Sequence, residues 1–119
     1  MIDILNILAI LATIVFGLIG WLAPTYTMNK LKLETKEGSN LGFSEIRAAS
    51  GALFVGLGIG ALIIGEPWGY AMMGFGYLGA ATGRMTSIIV DKSGESVSWS
   101  FFAGEIILGL WLVLANPVW

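Results

Sequence analysis

The chain has 119 residues, of which 56% are hydrophobic and only 12% are charged, and its formal net charge is −2. A soluble domain usually carries about 25% charged residues, so this composition indicates one small integral membrane domain. Six Lys and Arg residues in total give no basic surface for binding nucleic acid. Because Cys and His are absent, disulfides, iron–sulfur clusters and histidine-ligated zinc or haem are excluded, and we expect no metal site, no cofactor and no catalytic triad.

Apolar runs separated by helix-ending residues predict four membrane spans, at about residues 4–24, 46–65, 68–90 and 99–115. Each has roughly the 17–25 residues that a helix needs to cross a bilayer. The breaks lie at Pro24, at Glu66-Pro67, at the polar turn 91–95 and at Asn116-Pro117. The predicted fold class is therefore all-α, an integral membrane four-helix bundle with up-down topology in a single domain, residues 1–119. A soluble bundle would need a polar stripe on every helix, and two of these spans have none.

The basic residues predict the orientation of the spans. All six lie in or beside the first loop, residues 25–44, or the third, and none lies in the termini or the Glu66 turn. The positive-inside rule then makes the 25–44 loop cytoplasmic and places both termini on the periplasmic side. The first span lacks a basic leader and is too long for a signal-peptide core, so we expect a retained helix. We expect a multi-pass protein of the bacterial inner membrane, with the lipid bilayer as its surroundings.

The first loop is the longest segment outside the predicted spans. Apolar and charged residues alternate from Met28 to Glu34, which is typical of a short strand or of a segment lying on lipid headgroups. A solvated connector is an equally open interpretation. Residues 38–42 are expected to form a turn, with Ser44 as the N-cap of the second span.

Small residues recur every four positions along the spans. Such rows let membrane helices approach closely. They predict either internal packing of the bundle or contact with another protein chain. The predicted packing residues are Ala52, Gly56 and Gly60 on the second span and Gly76, Gly79 and Gly83 on the third, with a weaker row of Ala9, Thr13 and Gly17 on the first.

Four ionisable residues form the candidate site: Glu45, Arg47, Arg84 and Glu105. Charged side chains within membrane segments are costly, so they are usually paired or functional. Arg84 and Glu105 each lie about six residues from the cytoplasmic end of their span, roughly 9 Å deep, and this matching depth predicts an ion pair. Glu45 and Arg47 point about 200° apart, and we expect Arg47 to face the bundle and Glu45 its rim.

Three interpretations of this charged cluster remain open. It is a structural clamp that sets helix register, a pocket for an anion or lipid headgroup, or, least supported, a catalytic site. No arrangement that would activate a nucleophile is visible, so we expect no catalytic residue.

These residues resemble a bacterial family of small four-helix inner-membrane proteins, the domain of unknown function 4345 family. The resemblance covers nearly the whole chain and is carried by short motifs: E-x-R and a glycine at the head of the second span, G-R late in the third, a glycine in the next turn and a glutamate in the fourth. The matching residues are Glu45, Arg47, Gly51, Arg84, Gly94 and Glu105. Ser50 departs from the pattern, where the family often has an aromatic residue. The resemblance implies the fold and the charged cluster but no biochemical activity.

Together these features predict a small non-enzymatic membrane protein that acts as an accessory or structural subunit. It would pack against itself, as a homo-oligomer, or against a larger membrane complex. The alternative is a carrier or binding protein for a lipid or an anionic small molecule, with Arg47, Arg84 and Glu105 at its polar end.

Overall fold

The structure, a computed structural model, describes residues 2–119; Met1 lies outside the described residues. Over this range the chain is helical and contains no β-strand, so the predicted all-α class is confirmed. The elements are α1 (Ile2–Leu22), α2 (Pro24–Lys30), α3 (Leu41–Arg47), a π-helical segment (Ala48–Ala52), α4 (Leu53–Ile64), α5 (Pro67–Val90) and α6 (Ser96–Ala115).

Three helical stretches are long and apolar enough to cross a membrane: Asp3–Leu22, Leu41–Ile64 and Ser96–Ala115. The second of these runs through α3, the π-helical segment and α4 without a break. The predicted span at 68–90 is a helix of 24 residues, α5, but it is not among those three. α5 contains only four Ile, Leu and Val residues, whereas Leu41–Ile64, which has as many glycines, contains nine, and this difference lowers the hydropathy of α5.

The helix ends follow the predicted breaks, with differences in the first loop. Pro24 ends α1 by starting a new helix, because its fixed φ suits the first helical position of α2. Met28 is buried on α2, and Leu31 and Leu33 follow this helix in a turn and an irregular segment, so of the structures left open for this segment the strand does not form. Gly38 adopts φ +80°, as expected for a turn. Ser44 is not an N-cap, since α3 already begins at Leu41.

The chain divides into two compact units, Asp3–Ile63 and Ile64–Trp119. In the first unit, α1 lies directly against the π-helical segment, where two glycines meet. A Cβ added to Gly20 would overlap the carbonyl oxygen of Ser50, and one added to Gly51 would overlap the backbone nitrogen of Trp21. Only glycine permits this distance between backbones. Further along, Gly58 faces the side chain of Ile14 in the same way.

The row predicted on the first span lies on this contact face. Ala9 and Thr13 are buried, and a Cβ added to Gly17 would lie 2.7 Å from the carbonyl oxygen of Gly51. The Thr13 hydroxyl donates to the carbonyl oxygen of Ala9 at 2.9 Å, so its polar group is satisfied within α1. The weaker of the predicted rows is thus the one that packs inside the chain.

In the second unit, α5 packs against α6 through another pair of glycines. A Cβ on Gly74 would meet Val113 at 2.8 Å and Leu112 at 2.9 Å, and a Cβ on Gly109 would meet Leu78 at 2.8 Å. Leu112 and Val113 are buried. Each glycine therefore receives an aliphatic side chain of the facing helix, which is the close packing that membrane helices use in place of a hydrophobic drive.

The glycines of the two stronger rows, on α4 and α5, make no close contact of this kind. A Cβ added to Gly56, Gly60, Gly76, Gly79 or Gly83 meets no described heavy atom within 4 Å. On α4 the packed glycine is Gly58, and the α5 glycine that packs against α6 is Gly74. Each lies two residues from a row member, about 200° around the helix. Both helices carry glycine on opposite faces, and spacing alone does not indicate which face the chain itself covers.

Candidate functional site

Arg84 and Glu105 form the ion pair that their depth in the sequence predicts. Nε of Arg84 donates to Oε1 of Glu105 at 2.6 Å, and Nη2 donates to Oε2 at 3.2 Å. The side chains are 28% and 12% exposed. This two-point geometry matches the planar fork of a guanidinium to the two oxygens of a carboxylate, which is the strongest form of the contact.

An aromatic ring lies against the cation of this pair. The Arg84 guanidinium lies over the ring of Phe101, 5.1 Å from the centroid. Phe101 lies one turn before Glu105 on α6, a spacing that places both on one face. Thr82 and Thr86 donate to carbonyl oxygens of α5 itself, at 2.8 Å each. The carboxylate is thus engaged at both oxygens by a permanent cation, an arrangement suited to holding two helices rather than to moving protons.

Arg47 does not occupy the interior position that we expected. Its Nη1 donates to the carbonyl oxygen of Trp21 at 2.7 Å, and the residue is exposed. Trp21 lies in the last turn of α1, where carbonyl groups lack partners within the helix and carry partial negative charge. Arg47 therefore caps the end of α1, because the contact between Gly20 and Gly51 brings that end within reach. Glu45 is exposed, as expected for the rim.

An open groove of about 670 Å³ lies beside Arg47. It is bounded by the end of α1, the start of α2 and the first turns of α3. One of its lining residues is cationic and none is acidic: Leu22, Ala23, Pro24, Thr25, Tyr26, Asn40, Phe43 and Arg47. The groove thus combines one fixed positive charge with hydroxyl and amide groups and an apolar wall.

Sequence reasoning missed most of this groove. Among its lining residues, only Arg47 belongs to a predicted site and only Pro24 to a predicted helix break. The available signal was Pro24, since a proline directly after a membrane helix redirects the chain and leaves a concave corner.

The π-helical segment begins at the residue after Arg47. Single π turns inside α-helices occur frequently at functional sites. Here the segment includes Ser50 and Gly51, the two residues that lie against the end of α1. It therefore sets the position of Arg47 relative to the Trp21 carbonyl.

The residues of the predicted cluster make two contacts, one within each unit. Arg84 and Glu105 are joined in the second unit, and Arg47 is joined to α1 in the first. Among residues 2–119, no group of three or more acidic side chains is arranged to hold a metal ion. Of the two arginines, Arg84 is paired with a carboxylate, and the contact of Arg47 given by the described residues is with a backbone oxygen.

One family model matches the chain: that of a domain of unknown function, DUF4345, over residues 1–116. Neither the curated proteins nor the solved structures contain a match.

Proposed function

Because the chain belongs to the DUF4345 family, whose description assigns no activity, we propose a function from its own geometry: a small, non-enzymatic membrane protein that packs against other membrane helices. It serves as an accessory or structural subunit, either in a homo-oligomer or in a larger membrane complex. The observation that carries this proposal is a glycine face on each of α4 and α5, where a Cβ added to the glycines would meet no described heavy atom within 4 Å.

The proposed arrangement in the membrane has four spans. We infer that α5 crosses together with the three more apolar stretches, since its 24 residues measure about 36 Å. The spans then form an up-down four-helix bundle in the bacterial inner membrane. The 25–44 loop faces the cytoplasm and both termini face the periplasm, because this places all six basic residues on the cytoplasmic side.

The open glycine faces support packing against a partner. Gly56 and Gly60 lie one turn apart on α4, and Gly76, Gly79 and Gly83 lie within two turns on α5. Lipid chains fit a flat glycine surface poorly and give it little van der Waals contact. A second helix can approach such a surface closely and gives more. The Arg84–Glu105 pair favours the same view, since paired opposite charges compensate each other and neither needs a ligand.

Native mass spectrometry of the protein in mild detergent, extracted from its own membrane, tests the proposal. We expect the mass of a homo-oligomer or of a complex with other polypeptides. Gly56→Leu should break that assembly by filling the glycine face of α4. Leu62→Phe is the matched control, because it adds bulk on the same helix about 120° from Gly56. A monomer in the wild type, or equal assembly by Gly56→Leu and Leu62→Phe, would contradict the proposal.

A second candidate function is binding of a lipid or an anionic small molecule on the cytoplasmic side. The groove beside Arg47 favours it, since this arginine is exposed and no acidic side chain lines the groove. Arg84 and Glu105 no longer belong to that site, because they neutralise each other.

A further inference from the structure

We propose that the Arg47 groove is a binding site for the phosphate of an anionic phospholipid at the membrane surface on the side of the 25–44 loop. This inference rests on the second candidate function and names its ligand and its residues. It is independent of whether the chain assembles with a partner.

The first argument is the state of the Arg47 guanidinium. It has five N–H donors in a rigid fork. One hydrogen bond, from Nη1 to the carbonyl oxygen of Trp21 at 2.7 Å, is formed with the described residues. That bond fixes the side chain, so little rotamer entropy is lost when a ligand arrives, and the other donors suit the paired oxygens of a phosphate.

The second argument is the set of uncharged polar side chains that line the groove. Thr25, Tyr26 and Asn40 line it beside Arg47. Asn40 precedes α3 but makes no side-chain capping bond, so its amide is not committed to the helix end. Hydroxyl and amide groups of this kind serve the ester oxygens and the polar substituent of a headgroup without adding charge.

The third argument is the positive electrostatic potential around the groove. No acidic residue lines the groove, and a second cation lies next to it: Nζ of Lys30 is 5.6 Å from the ring centroid of Tyr26. A basic residue close to an anionic membrane surface contributes about 1 kcal/mol of attraction. The groove therefore favours an anion over a neutral or cationic ligand.

The fourth argument distinguishes a lipid from a free phosphate. The groove opens where α1 ends at Leu22, directly after Trp21, which is 41% exposed. Tryptophan at the end of a membrane helix lies at headgroup level. Leu22 and Phe43 give the groove an apolar wall, which suits a glycerol backbone and the first acyl carbons. A free phosphate would use the arginine but not this wall.

The test is lipid binding to the full-length protein in neutral detergent, followed by native mass spectrometry as phosphatidylglycerol is added. We expect one saturable phosphatidylglycerol per chain, and much weaker binding of a diacylglycerol with the same acyl chains. Arg47→Gln should weaken phosphatidylglycerol binding about tenfold or more, since a hydrogen bond to a charged group contributes that much to affinity. Lys36→Gln is the matched control, since it removes a loop cation outside the groove, and should change affinity less than about twofold.

A second variant guards against misfolding of Arg47→Gln. Ala23→Leu fills part of the groove but leaves the Arg47–Trp21 hydrogen bond in place, and it should weaken binding as well. Equal losses for Arg47→Gln and Lys36→Gln, or equal binding of phosphatidylglycerol and diacylglycerol, would overturn the site. Displacement of phosphatidylglycerol by millimolar inorganic phosphate would overturn the lipid assignment in favour of a free anion. Oligomer masses in the same spectra report separately on the packing function.

Discussion

Arg84 on α5 and Glu105 on α6 hold each other through two hydrogen bonds, 2.6 Å from Nε to Oε1 and 3.2 Å from Nη2 to Oε2. The pair joins the same two helices of the second unit as the glycine contacts of Gly74 and Gly109. Glycine packing and the ion pair therefore hold α5 and α6 together at different positions along their length. Neither ion has to be compensated by solvent, and that is the condition under which charges are tolerated in an apolar helix.

Removal of one partner should be costly. Arg84→Ala leaves the Glu105 carboxylate without its cation and is expected to destabilise the protein by about 3 kcal/mol, the lower end for a buried pair because Arg84 is 28% exposed. The measurement is the free energy of unfolding in mixed micelles as denaturing detergent is added. The double variant Arg84→Met with Glu105→Leu should recover much of the loss, because it buries no charge. Equal instability of the single and double variants would show that the pair is not what holds the helices.

The contact between Gly20 and Gly51 predicts a sharp sensitivity to one methyl group. Gly20→Ala places a Cβ against the Ser50 carbonyl, and we expect a loss of about 1–3 kcal/mol from the forced separation of the backbones. Gly60→Ala is the control, since the space beside Gly60 is open and alanine favours the helix by about 0.5–1 kcal/mol. The two variants should therefore shift the unfolding midpoint of the monomer in opposite directions.

Lys92 is strained in the turn after α5. Its φ is +54°, and the Asp91 N–H before it donates to the Ser87 carbonyl, which closes the helix. This left-handed position after a helix usually holds glycine. Lys92→Gly should raise the free energy of unfolding by about 1 kcal/mol. Lys92→Ala removes the same charge but keeps the strain, so the difference between the variants isolates the backbone effect; no difference would mean that the turn adopts another conformation.

The number of spans determines which side of the membrane each loop faces, so labelling of the loops measures that number. The natural chain contains no Cys, so single cysteines at Ser39, Ser93 and Val118 can be labelled in intact cells without background. Four spans predict that Ser39→Cys and Ser93→Cys are protected from an impermeant reagent, while Val118→Cys reacts. If α5 does not cross, Ser39→Cys and Ser93→Cys will differ in their labelling.

Much of the architecture can be predicted from the amino-acid sequence. Helix breaks at Pro24, Pro67 and Asn116 follow from local chemistry, because proline and short polar segments interrupt backbone hydrogen bonding wherever they occur. The Arg84–Glu105 pair was also predictable, since both residues lie at similar depth on sequential helices and few other partners exist. For the first loop the sequence left a strand open as one of several structures, because apolar residues at positions 28, 31 and 33 do not distinguish a short helix and turn from an alternating strand.

The sequence by itself determined that this chain is helical, strongly apolar and poor in reactive groups, because composition and helix-breaking residues act locally. Only the tertiary structure decided which glycines are covered, since Gly56 and Gly58 look alike in sequence yet lie about 200° apart on α4. The tertiary structure also decided which group Arg47 binds. Its partner, the carbonyl oxygen of Trp21, is a backbone atom 26 residues away. Every residue carries a backbone carbonyl, so no pattern of side chains identifies this one as a partner. Arg47 can reach it only because two glycines bring α1 close to the π-helical segment.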